Sequence, residues 1–464
     1  MKLHWFHLAP WQNLPSDFTE RYRSVWVDVP SELWDPVEGH RHYNEYLDEL
    51  EFADQMGFDG ICVNEHHQNA YGLMPSPNLM AAALTRRTSN AAIVVLGNSI
   101  ALYNPPVRIA EEFAMLDCMS GGRLVAGFPV GTPMDTCFGY GQVPATLREK
   151  YDEGYELIMR SWTEPEPFAF NGKFTQLRYV NLWPRPLQQP HPPIWVPGGG
   201  SIETWEWVAK RNHVYCYLSY SGYKRGKALL DGYWETIDRL GIEPNPYRAG
   251  FLQLIAVSET DAQAEADYAE HAKYFYDNCL HIYEGFADPP GYRTMPTLKR
   301  GLVGQHGKQV TAARKALTWS ELVDQGYVVA GGPESVRQQL REVIKTLNVG
   351  QLMVLLQFGN MPKHKAMKNT ELFAREVMPS LRDIWSEWED HWNPTGVPAG
   401  KRVEPAALPS ANGHASGATN GAANGASGGT HGSANGPAGA ATSIGDESAS
   451  SARGTASPAR ETDR

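Results

Sequence analysis

The run Gly57-Phe58-Asp59-Gly60-Ile61-Cys62-Val63-Asn64-Glu65-His66-His67 decides the fold. Gly57 stops a helix whose apolar positions, Tyr43, Tyr46, Leu47, Leu50 and Ala53, recur at helical spacing. The residues from Gly60 to Val63 then read as a short buried strand. Glu65, His66 and His67 are proton-handling side chains released together just past its carboxyl end. In a barrel or open sheet of parallel strands, that end is where ligands bind and chemistry occurs.

Working outward, the same alternation of apolar run and helical pattern repeats. Strands are predicted over 3–8, 60–63, 92–102, 124–128, 194–196, 214–218, 251–257 and 351–357. Helices are predicted over 78–88 and 149–162, after Pro106 with Ile109, Phe113 and Leu116 on one face, and after the turn Gly198-Gly199-Gly200-Ser201. A further helix is marked by Val336, Leu340, Ile344 and Leu347 before the last strand. Eight strands joined through helices predict an α/β fold, a closed (β/α)8 TIM-type barrel. An open doubly wound sheet would need a phosphate-binding G-x-G-x-x-G after the first strand, and Leu8-Ala9-Pro10-Trp11 offers none.

Composition narrows the function. At 464 residues, with 42% hydrophobic and 11% aromatic content, the chain has ample material for a core. A net charge of −11 argues against nucleic-acid and anionic-membrane surfaces, and a small-molecule ligand is the simpler expectation. The amino terminus, Met1 to Leu8, is interrupted by His4 and His7 and lacks a signal peptide's apolar run; no window approaches the roughly 18 apolar residues of a membrane span. Cys62, Cys118, Cys137, Cys216 and Cys279 are scattered without a C-x-x-C pair, which points to a reduced, cytoplasmic protein. Residues 1–394 are assigned to the barrel. Residues 395–464, dominated from about Pro405 by Ala, Gly, Ser, Thr and Asn, are assigned to a low-complexity, disordered tail that cannot bury enough apolar surface to offset ordering.

Several motifs, in register along the chain, resemble the bacterial luciferase-like family of flavin-dependent monooxygenases. They are Glu65-His66-His67, the segment from Pro106 to Glu112 leading into Leu116-Asp117-Cys118-Met119-Ser120-Gly121-Gly122-Arg123, the turn Phe138-Gly139 followed by Arg148, and Pro192-Pro193-Ile194-Trp195-Val196 before a Gly-Ser turn. The resemblance implies a barrel that binds reduced flavin mononucleotide (FMN) from a separate NAD(P)H:flavin reductase. It further implies that dioxygen adds to give a peroxyflavin, which oxidises a small organic substrate: an aldehyde, a ketone or a natural-product intermediate. Relatives pair through barrel helices, so a homodimer is expected.

His66 matches the family's catalytic histidine, and imidazole is suited to accepting and returning a proton near neutrality. A histidine pair at a loop start otherwise only hydrogen-bonds backbone, and His67 stays open between the two roles. Glu65 either orients a histidine, holds the flavin ring or caps the next turn. A metal site is disfavoured, because adjacent residues of one strand face opposite ways and no H-x-H or H-E-x-x-H pattern is present. Gly200, Ser201 and Thr204 match the turn that grips the flavin phosphate; glycine permits close approach and a helix amino terminus offers free N–H groups. Arg148 matches an arginine near the same phosphate. Asn98, after Gly97, is a candidate partner for the flavin's polar edge or a simple strand terminator. Trp5, Phe6, Tyr71 and Trp195 are candidate pocket walls or core.

The chain also departs from the pattern. Light-emitting relatives carry a Cys-Arg pair after the fourth strand where this chain reads Pro129-Val130, so one phosphate-binding arginine is missing and light emission does not follow. The long segments 10–41 and 278–320 carry Trp11, Trp26, Trp34, His281, Tyr283, Tyr292 and His306 and are expected to shape the substrate pocket. Three other functions stay open. A deazaflavin-dependent oxidoreductase would transfer hydride in the same barrel, a glycoside hydrolase would pair Glu65 with a second strand-end carboxylate, and a non-catalytic protein would only bind flavin.

Overall fold

In a computed structural model that describes residues 1–218, 220–299, 317–398 and 401–403, the chain forms a closed ring of parallel strands. The strands are β1 (Lys2–Phe6), β2 (Gly60–Val63), β3 (Ala92–Val95), β4 (Leu124–Gly127), β5 (Phe168–Asn171), β6 (Gln176–Val180), β7 (Ile194–Gly198), β8 (Val214–Tyr217), β9 (Ala249–Val257), β10 (Val328–Gly331) and β11 (Gln351–Leu355). The ring runs β1-β2-β3-β4-β7-β8-β9-β11 and returns to β1. The predicted TIM-type barrel is therefore present, and each predicted strand contributes to it. Of the tail assigned to 395–464, residues 399–400 and 404–464 lie outside the described residues, as does His306, whereas the Val397 N–H donates to the Gly121 carbonyl at 2.7 Å. Among the described residues, no helix is long and apolar enough to cross a membrane.

Two elements escaped the sequence reading. Strand β9 is long enough to pair β8 through Ala249–Phe251 and then β10 through Leu254–Val257, along the edge opposite β11. Strand β10 is thus a ninth strand splayed from the ring. The antiparallel hairpin β5–β6 sits between β4 and β7 and closes a small core of its own from Leu157, Phe170 and Val180.

The strand pleat sorts side chains into two cores. Phe6, Cys62, Val94, Val125, Trp195, Cys216, Leu252 and Met353 belong to the core inside the ring. Their chain neighbours Trp5, Ile61, Ile93, Leu124, Ile194, Tyr215, Phe251 and Val354 pack with helix residues such as Leu50, Phe113, Ile158 and Leu340. This alternation removes Trp5 from the predicted pocket wall: it is fully buried on the helix side, and its indole donates to Thr370 Oγ1 at 3.0 Å. Trp195 is inside the ring but below the site, with its indole donating to the Trp392 carbonyl at 3.0 Å and its ring edge-on to His4.

The helix Pro36–Gln55 shows how local sequence places the site. Asp35 caps it by accepting from the Val37 and Glu38 N–H groups, Pro36 occupies its first turn, and Gly57, at φ +83°, ends it. The chain then enters β2, whose residues are all buried, so Asn64 and Glu65 emerge at the carboxyl mouth of the barrel.

Candidate active site

A cavity of about 300 Å³ opens at that mouth. Its wall includes Phe6, Glu65, His66 and Tyr71 together with Arg148, Gly198, Gly199, Ser201 and Thr204. The strand-end histidine and the glycine turn, far apart in sequence, thus face one space.

His66 Nδ1 lies 3.0 Å from Asp135 Oδ2. Asp135 follows Pro133 in the short wide-turn helix Met134–Gly139. Its carboxylate also accepts from the His67 N–H at 2.7 Å, the Trp26 indole at 3.1 Å and the Thr132 hydroxyl at 2.8 Å. With so many donors around it, Asp135 acts as an acceptor toward His66. That places a proton on Nδ1, while Nε2 has no protein partner among the described residues and the ring lines the cavity. The His66 side chain keeps 15% of its surface exposed while Asp135 keeps 3%. Trp26 and Tyr71 stack at 4.4 Å, and each presents itself edge-on to the His66 ring at 4.9 Å. The imidazole is held by one carboxylate and two aromatic rings.

His67 has a different environment. It is buried, with Nε2 3.2 Å from Glu65 Oε1, an ion-pair contact rather than an aligned hydrogen bond, and its ring packs on Tyr140. Glu65 accepts from the Ser99 N–H and the Tyr103 hydroxyl, each at 2.6 Å. This bracing needs glycine at 97, because a Cβ there would come within 2.4 Å of the Glu65 nitrogen. Of the three polar residues after β2, only His66 offers a free ring nitrogen to the cavity.

Elsewhere in the wall, the turn after β7 leads into the helix Ile202–Lys210, with Ser201 at its N-cap making no side-chain cap hydrogen bond. Nothing lies within 4 Å of a Cβ built on Gly199, so the backbone is open there. Arg148 reaches the same wall from the start of the helix Leu147–Thr163, and its Nε is buried without a hydrogen-bond partner. An orphaned guanidinium nitrogen, an uncapped serine and an open glycine backbone fit a phosphate group. Gly200 itself does not line the cavity; at φ +107° with Leu229 beneath it, it shapes the turn.

Asn98 is fully buried, and its side chain exchanges hydrogen bonds with Asn78 at 2.9 and 3.1 Å. It is not among the residues lining the cavity. From the long segments, the structure brings Trp26 against His66 and Tyr292 and Arg293 into the cavity wall. Trp11 and Trp34 instead pack on each other at 4.7 Å. Asp135 and Arg293 were not singled out from the sequence. The one signal for Asp135 was its place in the loop after β4, which the search for a second strand-end carboxylate passed over.

The mouth of the parallel barrel thus carries an imidazole–carboxylate pair and an anion-suited glycine turn on one cavity. The family model for luciferase-like monooxygenases matches residues 24–348, and the chain belongs to that family of oxidoreductases. It is 26% identical over 344 residues to 4-hydroxyprotoasukamycin monooxygenase from Streptomyces nodosus subsp. asukaensis, covering 72% of this chain and 85% of that one. Among solved structures, the oxygenating constituent of 3,6-diketocamphane monooxygenase from Pseudomonas putida, in complex with FMN, superposes with a TM-score of 0.63 at 18% identity. That match covers 82% of this chain and 98% of that one. An F420-dependent secondary alcohol dehydrogenase superposes with a TM-score of 0.57 at 17% identity, covering 82% and 99%.

Proposed function

We propose that this chain is the oxygenase component of a two-component system. It takes reduced FMN from a separate reductase and uses dioxygen to oxidise a small organic substrate, an aldehyde, ketone or natural-product intermediate. The reading is supported most by His66, held by Asp135 with its Nε2 unpartnered, in a cavity wall that also includes Arg148, Ser201 and Thr204. The flavin, when bound, supplies the oxygen activation. The protein's part is to grip the phosphate through Arg148 and the Gly-Ser turn, to hold a proton acceptor at His66 Nε2, and to line the space with Phe6, Tyr71 and Leu96, which limits water. Glu65 and His67 brace the loop that carries His66. A homodimer in the cytoplasm completes the proposal.

The rival with a specific likeness behind it is hydride transfer with a deazaflavin, since a deazaflavin enzyme shares this barrel. Equilibrium competition between reduced FMN and reduced deazaflavin, under anaerobic conditions, separates the two. Preferential retention of FMN is expected. Retention of the deazaflavin with no measurable FMN binding would replace oxygen insertion by hydride transfer.

A further inference from the structure

One cation of the cavity wall comes from outside the barrel loops. The loop after β4, which reads Pro129-Val130, supplies no arginine. Arg293, from the segment between β9 and β10, instead lines the same cavity as Arg148, Ser201 and Thr204. That segment is tied down on both sides of Arg293. The Tyr292 hydroxyl donates to the Gly131 carbonyl at 2.6 Å, immediately beyond Val130. The Thr294 and Thr297 hydroxyls donate to the Glu203 carboxylate, and Thr297 Oγ1 accepts from the Ile202 N–H at 3.3 Å, at the first turn of the phosphate-facing helix. Arg293 is fixed further by its Nε, which donates to Asp288 Oδ1 at 2.8 Å. One of the five N–H donors of a guanidinium is thereby used, and the fork formed by the rest is the geometry that suits phosphate oxygens.

A phosphomonoester carries nearly two negative charges near neutral pH and three acceptor oxygens, and the guanidinium of Arg293, though ion-paired to Asp288 through Nε, keeps N–H donors that Arg148 alone does not supply. We infer that Arg293, delivered by the insertion, is a second phosphate-binding guanidinium of this site beside Arg148, and that it selects ligands ending in a phosphomonoester. The inference rests on the flavin reading above and assigns the insertion a binding role in it. Latching to Gly131 and Glu203 holds the charge beside the glycine turn, so the insertion and the barrel share one anion site.

The test is anaerobic titration of the full chain with reduced FMN and with reduced riboflavin, which lacks only the phosphate, followed by tryptophan fluorescence. The wild type is expected to prefer FMN. Arg293→Ala should weaken FMN binding about tenfold to a hundredfold, the loss of a charge-assisted hydrogen bond, and leave riboflavin affinity unchanged. Arg293→Lys, which keeps the charge and most of the packing, should fall between the two. Equal weakening of FMN and riboflavin in Arg293→Ala, or no change in FMN, overturns the inference while leaving the flavin reading intact. Failure of the wild type to bind either compound overturns the flavin reading itself, and this inference with it.

Discussion

His66 is useful only because of what surrounds it. A free imidazole samples both tautomers, but Asp135 holds a proton on Nδ1 and leaves Nε2 without a protein partner in a ring that lines the cavity. Asp135→Asn would present an amide that satisfies the surrounding donors less well and lets the ring choose the other tautomer. The expected outcome is about a hundredfold slower oxygen-dependent reaction of the bound reduced flavin, the lower end of the range of general acid–base effects, with flavin affinity nearly unchanged. Stopped-flow absorbance checks the rate and anaerobic titration checks the affinity. The histidine was legible in the sequence because it follows a buried strand by a few residues. Its partner was not, because Asp135 lies well along a loop whose path depends on Gly131 at φ +95°, where a Cβ would come within 2.5 Å of Thr136 and 2.7 Å of the Ser99 hydroxyl. Asn98 shows the converse. Its strand-end position was visible, but nothing local says that Asn78, from the preceding helix Pro77–Arg87, will occupy its amide.

The strands and helices of the ring were read from periodicity because each buries a regular face. The predicted strand at 60–63 matches β2 to the residue, and the prediction over 92–102 ends early at Val95, where the chain turns to carry Ser99 toward Glu65. Strand β10 was missed because Val328–Gly331 is short and runs straight into Gly332 and a helix, so its apolar run resembles a helix lead-in. The hairpin β5–β6 was missed because its apolar residues, Phe168, Phe170, Leu177 and Val180, serve only a small separate core and most of its positions are exposed, so no regular buried face marks it. The junction between β2 and β3 depends on a missing side chain. Gly97→Ala would push a methyl group against the Glu65 backbone nitrogen and Cβ. A loss of about 1–3 kcal/mol in folding stability is expected, the usual cost of overpacking. Urea midpoints of variant and wild type check the stability, and displacement of Glu65 should loosen flavin binding as well.

Burial also ties the stability of the whole barrel to pH. His213 is buried against the Tyr155 hydroxyl, 2.7 Å from its Nε2, and burial lowers its pKa to about 3. An unfolded histidine titrates near 6.5, so below that pH the unfolded chain takes up a proton that the folded chain refuses. The neutral ring's contribution is therefore complete above about pH 6.5 and is lost as pH falls toward 3, at up to about 1.4 kcal/mol per pH unit. His7 is lowered to about 3 as well, but it contacts Glu49, whose carboxyl is raised by burial and acts with the opposite sign. His213→Gln should accordingly flatten the fall in urea midpoint between pH 6.5 and 4, whereas an unchanged slope would show that this ring is protonated in the fold. The assembled molecule is, on the reading proposed here, a barrel whose strand ends hold a reduced flavin beside one free imidazole nitrogen. The most direct test is to load the protein anaerobically with reduced FMN, mix it rapidly with dioxygen and record the spectrum over time, for the wild type and for His66→Ala. A transient species distinct from both reduced and oxidised flavin, with its formation or decay altered in His66→Ala, is the expected result. Direct conversion to oxidised flavin at the rate of the free compound, identical in both proteins, would contradict it.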